Sequence, residues 1–276
     1  MAKRSHTREG TSKMNRVSHF KTPTGQIALR EAGEGPALIF LHGLGGSSKS
    51  WFRQLDELSN RFHVIAWDCP GYGESDPFPG GKPKTSDFAK ALLAALDELK
   101  IGEFNLVGHS MGGAVAPWVA RLAPLRVRRL VLSATKVSFA SDEPSGYEMR
   151  LAERRNMDDH TFGNARAKSM VGEDSPVFNE VASIAGEIRI AGYEAAVHLL
   201  KNSNNAAILA TIEQPTLILA GENDKIAPVA STKAVVEAVP GSRLVTIKNA
   251  GHAAYIEQAS IFSGEVAKFM GVSSKD

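Results

Sequence analysis

Gly108-His109-Ser110-Met111-Gly112 is the segment whose residue types and spacing point most directly to chemistry. It lies between the strand-forming Asn105-Leu106-Val107 and the helix-forming Ala114-Val115-Ala116, which fits a sharp turn from strand into helix. Side chains in place of the two glycines would clash in such a turn, and the serine is held in a strained conformation. Amides opening the following helix then face the place where negative charge develops as the hydroxyl attacks an acyl carbon. The bare G-x-S-x-G pattern arises by chance about 0.1 times in a chain of ordinary composition, so its setting carries the weight.

A serine nucleophile needs a base, and the base needs an orienting acid. His6 lies near the amino terminus, His19 in a hairpin, His63 at a strand start, and His160 and His198 in a central helical stretch. His42 ends a strand beside a glycine loop, and His109 is expected to point away from Ser110. His252, in Asn249-Ala250-Gly251-His252, follows the last strand and precedes the last helix, where an α/β site draws its residues. For the acid, Asp224 in Gly221-Glu222-Asn223-Asp224 follows a strand, and Glu222 remains its nearest competitor. The order Ser110, Asp224, His252 is nucleophile, acid, base.

These residues need a scaffold, and the chain alternates strand and helix patterns from about residue 16. Residues 17–21 and 26–31 read as a hairpin around Thr22-Pro23-Thr24-Gly25. Strands are expected at 37–41, 63–67, 104–107, 129–132, 217–219 and 244–247, and helices at 47–60, 87–99, 114–123, 230–239 and 255–270. Strands that alternate with helices imply a parallel sheet covered on both faces. Between residues 134 and 215 no strand is evident, too long a gap for a loop, and helical stretches at 147–157, 164–171, 178–190 and 193–201 suggest an inserted helical cap. The expected division is a flexible basic tail over 1–16, a core over 17–134 and 216–276, and a cap over 135–215. Pro117, inside the helix after Ser110, should kink it by removing a bond to the Gly113 carbonyl.

Composition narrows the classes further. The 276 residues carry a net charge of +2 with 43% hydrophobic side chains, unlike a disordered chain. The single cysteine, Cys69, permits no internal disulfide and points to a reducing, cytoplasmic setting. No apolar run reaches the roughly 18 residues of a membrane helix. Five basic side chains crowd residues 1–16, leaving a near-neutral body that is not built around nucleic acid. The stretch 136–212 holds eight basic and eleven acidic side chains, which disfavours a polyanionic substrate. Gly43–Ser50 nearly matches a phosphate-binding loop, but Ser48 stands where that loop needs glycine. Asp158-Asp159-His160 offers acids that do not face one direction on a helix, so it reads as a solvated face and no metal is expected.

The segments HGLGGS (42–47), DCPGYGESD (68–76), GHSMGG (108–113), GENDKIAP (221–228) and NAGHAAYIEQ (249–258) together resemble the α/β-hydrolase superfamily, from residue 17 to 270. The resemblance implies an α/β-hydrolase fold, with a mostly parallel eight-stranded sheet, helices on both faces and an inserted helical cap. It implies a Ser110–His252–Asp224 triad, an oxyanion hole from the amides of Leu44 and Met111, and no cofactor. His42, Gly43, Val137 and Ala253 are the candidate substrate contacts. The expected activity is cleavage of a small carboxylic ester or lactone through an acyl-enzyme. The Gly192-Tyr193 segment and the Glu257-Gln258 ending resemble enol-lactone and carboxylic-ester hydrolases. Meta-cleavage carbon–carbon hydrolases usually show tryptophan where Ala253 stands, dehalogenases and epoxide hydrolases an aspartate in place of Ser110. A cofactor-free perhydrolase and a non-enzymatic small-ligand receptor of the same fold are the further alternatives. The partner is a small ester, lactone or ketone, and the pattern specifies no oligomeric state.

Overall fold

The computed structural model describes residues 15–80, 82–140 and 144–271. Strands β1 (Arg16–Thr22) and β2 (Gly25–Ala32) form the expected hairpin, closed by a turn with Gly25 at φ 111°. Then follow β3 (Ala37–Leu41), a 3-10 turn over Ser48–Trp51, α1 (Phe52–Leu58) and β4 (His63–Trp67). Next come α2 (Thr85–Glu98), β5 (Phe104–His109), α3 (Met111–Leu122) and β6 (Val127–Ser133). Among the described residues five helices precede the next strand: α4 (Pro144–Asn156), α5 (Asp159–Val171), α6 (Phe178–Gly186), α7 (Ile190–Lys201) and α8 (Ala206–Leu209). The chain ends through β7 (Thr216–Gly221), α9 (Val229–Ala238), β8 (Arg243–Ile247), α10 (Ala254–Glu257) and α11 (Ala259–Phe269).

The eight strands form one sheet in the order β1-β2-β4-β3-β5-β6-β7-β8. Pairing is antiparallel at β1–β2 and β2–β4 and parallel elsewhere. Strands β3, β5 and β7 are buried along their whole length because both faces are covered. The period-two alternation divides their side chains between two apolar layers. Ile39, Leu41 and Leu106 join α2 and α3 through Phe88, Leu92 and Val115. Leu38, Phe40 and Val107 join α1 and α11 through Leu55, Phe262 and Val266.

Several expected elements differ in detail. Of the expected tail, residues 1–14 lie outside the described residues, while Arg16 is strand, its guanidinium 3.3 Å from Glu31. The helix expected at 47–60 is a 3-10 turn capped by Ser47 followed by α1. The final helix divides into α10 and α11 at Gln258. The helix expected to begin at residue 164 begins at Asp159, because Asp158 caps it with bonds from the Thr161 amide and hydroxyl. That cap holds the Asp158 carboxyl below its ordinary range, and Asp159 pairs with Arg154 at 2.7 Å. Among the described residues no cluster of three metal-ligating side chains forms, and no helix is long and apolar enough to cross a membrane.

Pro117 sits inside α3, which nevertheless continues to Leu122. Asn205 braces that helix from the insertion: its Nδ2 donates to the Ala114 carbonyl at 2.8 Å, and its Oδ1 accepts from the Trp118 indole at 2.9 Å.

Candidate active site

Ser110 ends the turn between β5 and α3 at φ 52° and ψ −112°, a conformation that L-residues rarely adopt. A Cβ at Gly108 would lie 2.4 Å from the Gly112 carbonyl oxygen, and one at Gly112 would lie 2.3 Å from that of Leu41. Both glycines are therefore required by close backbone approach. The Ser110 amide donates to the Ser133 carbonyl at 2.8 Å, tying the turn to the next strand. Met111 opens α3, so its amide has no partner within the helix.

His252 and Asp224 come from the loops after β8 and β7. Asp224 Oδ2 lies 2.9 Å from His252 Nδ1, and the Asp224 side chain is fully buried. Asp224 Oδ1 accepts the amides of Ile226 and Ala227, each at 2.8 Å, which fixes the carboxylate. Glu222, the competing acid, instead accepts the Asn249 amide at 3.1 Å. The His252 amide donates to the Met170 carbonyl of α5 at 3.1 Å, so the insertion grips the loop that carries the imidazole.

Ser110, His252, Leu44 and Gly43 line one cleft. No hydrogen bond joins Ser110 to the imidazole among the described residues, contrary to the direct contact expected of a triad. Catalytic hydrogen bonds are often long or misaligned before substrate binds. Helices α4, α5 and α7 contribute Arg150, Arg166, Met170 and Leu200 to the same cleft.

Of the four expected substrate contacts, only Gly43 lines the cleft. His42 is buried, with Nε2 accepting the Cys69 amide at 3.1 Å and Nδ1 2.8 Å from the Gly43 carbonyl. Its ring is thus engaged in joining two strand-end loops. Ala253 is fully buried against the second apolar layer. Val137 packs on the first layer, and its carbonyl accepts the Asn205 amide at 2.8 Å. Cys69 is buried too, and desolvation followed by the charge of Asp68 pushes its thiol well above the ordinary range.

His109 also stands beside the site. It lines the cleft, its ring centroid 4.9 Å from that of His252 and 4.8 Å from that of Tyr255. Burial and then the neighbouring His252 hold it well below the ordinary histidine range, so it is neutral there. The sequence did carry a signal for one residue missed above. Phe162, Arg166 and Met170 repeat at four-residue spacing, placing an arginine on the buried stripe of α5.

Comparison with known proteins agrees with this architecture. The model of the alpha/beta hydrolase fold family matches residues 36–174, and that of the TAP-like protein family matches residues 195–274. The AB hydrolase superfamily protein YisY of Bacillus subtilis is 31% identical over 260 residues, covering 88% of this chain and 94% of the relative. The 3-oxoadipate enol-lactonase 2 of Acinetobacter baylyi is 27% identical over 263 residues, covering 92% and 98% respectively. A thermophilic esterase from Thermogutta terrifontis superposes with a TM-score of 0.83 at 26% identity, covering 93% of this chain and 98% of that one. This chain spans 65% of the length of another relative, the dihydrolipoyllysine-residue acetyltransferase component of the acetoin cleaving system of Cupriavidus necator, at 29% identity. The chain belongs to the alpha/beta hydrolase family. It is a hydrolase of that fold.

Proposed function

We propose that the protein is a serine hydrolase that cleaves a small carboxylic ester or lactone through an acyl-enzyme. The observation that carries this reading is the buried Asp224–His252 pair opening on the same cleft as the strained Ser110. With Nδ1 engaged by Asp224, Nε2 is left to take the Ser110 proton as Oγ attacks the acyl carbon. The oxyanion is received by the amides of Leu44 and Met111. The carbon–oxygen bond of the leaving group breaks as His252 returns the proton to it. His252 then removes a proton from water as its oxygen attacks the acyl carbon, and passes that proton to Ser110 Oγ as the acyl–Oγ bond breaks. Helices α4 to α8 serve as the cap over this chemistry, and the remainder of residues 17–134 and 216–276 serves as the core.

Replacing Ser110 by alanine tests the reading. Turnover of para-nitrophenyl acetate should fall by roughly 10⁶ if the three residues act as a unit, with the melting temperature retained. Labelling by a fluorophosphonate should vanish with it. Residual hydrolysis within about tenfold of the wild type would refute the assignment. A panel of esters, lactones and vinylogous diketones, ranked by kcat/KM, separates ester cleavage from carbon–carbon cleavage.

A further inference from the structure

Five arginines lie between residues 136 and 212, and their surroundings divide them. Arg154 bonds the Ile188 carbonyl and Asp159, each at 2.7 Å. Arg155 pairs with Glu194, and Arg189 donates to the carbonyls of Ser75 and Tyr72. These three tie the insertion to itself or to the core. Arg150 and Arg166 instead line the cleft that holds Ser110 and His252, and among the described residues no carboxylate pairs with either.

Arg166 is 7% exposed, and its Nε has no hydrogen-bond partner. Phenols stand near it: Tyr72 and Tyr193, both shifted upward chiefly by burial and therefore neutral. The Tyr193 hydroxyl is also buried without a partner. The Arg150 guanidinium rests over the Tyr147 ring at 5.5 Å, and among the described residues no carboxylate pairs with it. A desolvated guanidinium without an anion is costly, and a ligand carboxylate is the group whose geometry it matches. The acidic excess elsewhere in the insertion favours a single anionic group over a polyanion.

We propose that the cleft takes a substrate bearing a carboxylate in addition to its scissile ester or lactone, with Arg166 holding that carboxylate and Arg150 beside it. This rests on the serine-hydrolase reading for the scissile group, while the anion site stands on the arginines themselves. Held there, the carboxylate would orient the acyl carbon toward Ser110, so charge selects the substrate and Ser110 cleaves it.

The test uses the Ser110→Ala protein and two sets of probes, the monomethyl and the dimethyl esters of succinate, glutarate and adipate. Calorimetry should show at least one monoester binding about tenfold or more tightly than its dimethyl counterpart, the gain of one charge-assisted contact. Adding Arg166→Met should abolish that preference, and Arg166→Lys should restore part of it. If the methionine variant fails to fold, the wild-type ratio and the lysine variant still decide. Equal or tighter binding of every dimethyl ester overturns the proposal, as does a preference that survives Arg166→Met. The wild-type enzyme reads the chemistry separately. If it cleaves para-nitrophenyl acetate but shows no preference for monoesters, the anion site falls and the hydrolase reading stands. If no ester is cleaved and fluorophosphonate leaves Ser110 unlabelled, the hydrolase reading falls, while a binding preference lost in Arg166→Met still upholds the anion site.

Discussion

The Glu257 carboxyl accepts the Gly251 amide through Oε2 at 2.8 Å, one residue from His252. Burial, opposed by that amide and reinforced by the nearby Asp224 charge, raises its pKa from 4.5 to about 7. A carboxyl with a raised pKa holds a proton in the folded state that the unfolded chain releases. Its contribution to stability is therefore full below about pH 4.5 and is lost as pH rises through about 7. Glu257→Gln keeps an acceptor for the Gly251 amide and removes the titration. Melting temperatures measured across this range should fall less with pH in the variant than in the wild type; parallel curves would show that Glu257 does not titrate there. Asp224→Asn addresses the proposed mechanism at the same scale. Asparagine cannot accept from two amides and from His252 Nδ1–H with both of its side-chain heavy atoms, so the imidazole loses its tautomer. A drop in kcat of about 10⁴ is expected. A drop of less than about tenfold would show that Asp224 does not orient the imidazole.

Among the elements, α7 meets the loop after β4 through two glycines. A Cβ on Gly192 would stand 2.3 Å from the Gly71 carbonyl oxygen, and one on Gly71 would stand 2.4 Å from the Gly192 Cα. Above this contact Arg189 donates to the carbonyls of Ser75 and Tyr72, while the Tyr72 hydroxyl donates to that of Leu44. The insertion is thereby coupled to the loop proposed to bind the oxyanion. Gly192→Ala should cost about 1–3 kcal/mol by forcing the two backbones apart. Protease should then cut the insertion before the core melts. Unchanged stability and cleavage would show that the contact relaxes without consequence. Asn205→Ala leaves the Ala114 carbonyl and the Trp118 indole short of partners and should cost about 1–3 kcal/mol in denaturant unfolding. A loss within about 0.5 kcal/mol would place both groups within reach of water.

Across the molecule, the second apolar layer reaches the cleft through rings in tilted and edge-on contact. Trp51 lies 4.8 Å from Phe40 and 4.6 Å from Tyr255 between ring centroids, and Tyr255 in turn meets His109. Fully buried Trp51 thus links a central strand to the ring beside His252. Trp51→Ala should destabilise by about 3–5 kcal/mol, seen as a lower denaturant midpoint at an unchanged slope. A loss below about 1 kcal/mol would mean that the neighbouring rings collapse to refill the space.

Much of this architecture is legible in the residues alone. The runs Ala37–Leu41 and His63–Trp67 coincide with β3 and β4, because a strand buried on both faces must be continuously apolar and is bounded by residues that cannot be. The turn at Ser110 is legible because glycine spacing records close backbone approach. The loops of Asp224 and His252 are legible because each follows a parallel strand, and such strands bring their carboxyl ends to one edge. Which side chains of the insertion face that edge is not a local property. Arg166 and Arg154 have the same chemistry, yet one lines the cleft and the other grips Asp159, because helix docking sets which face of each helix meets the core. His109 stands beside His252, and His42 joins two strand-end loops, through residues distant in the chain. Short-range pattern therefore determined the sheet and the turn that carries Ser110. Only long-range packing decided what stands opposite them, since contacts between residues distant in the chain leave no period within any one segment.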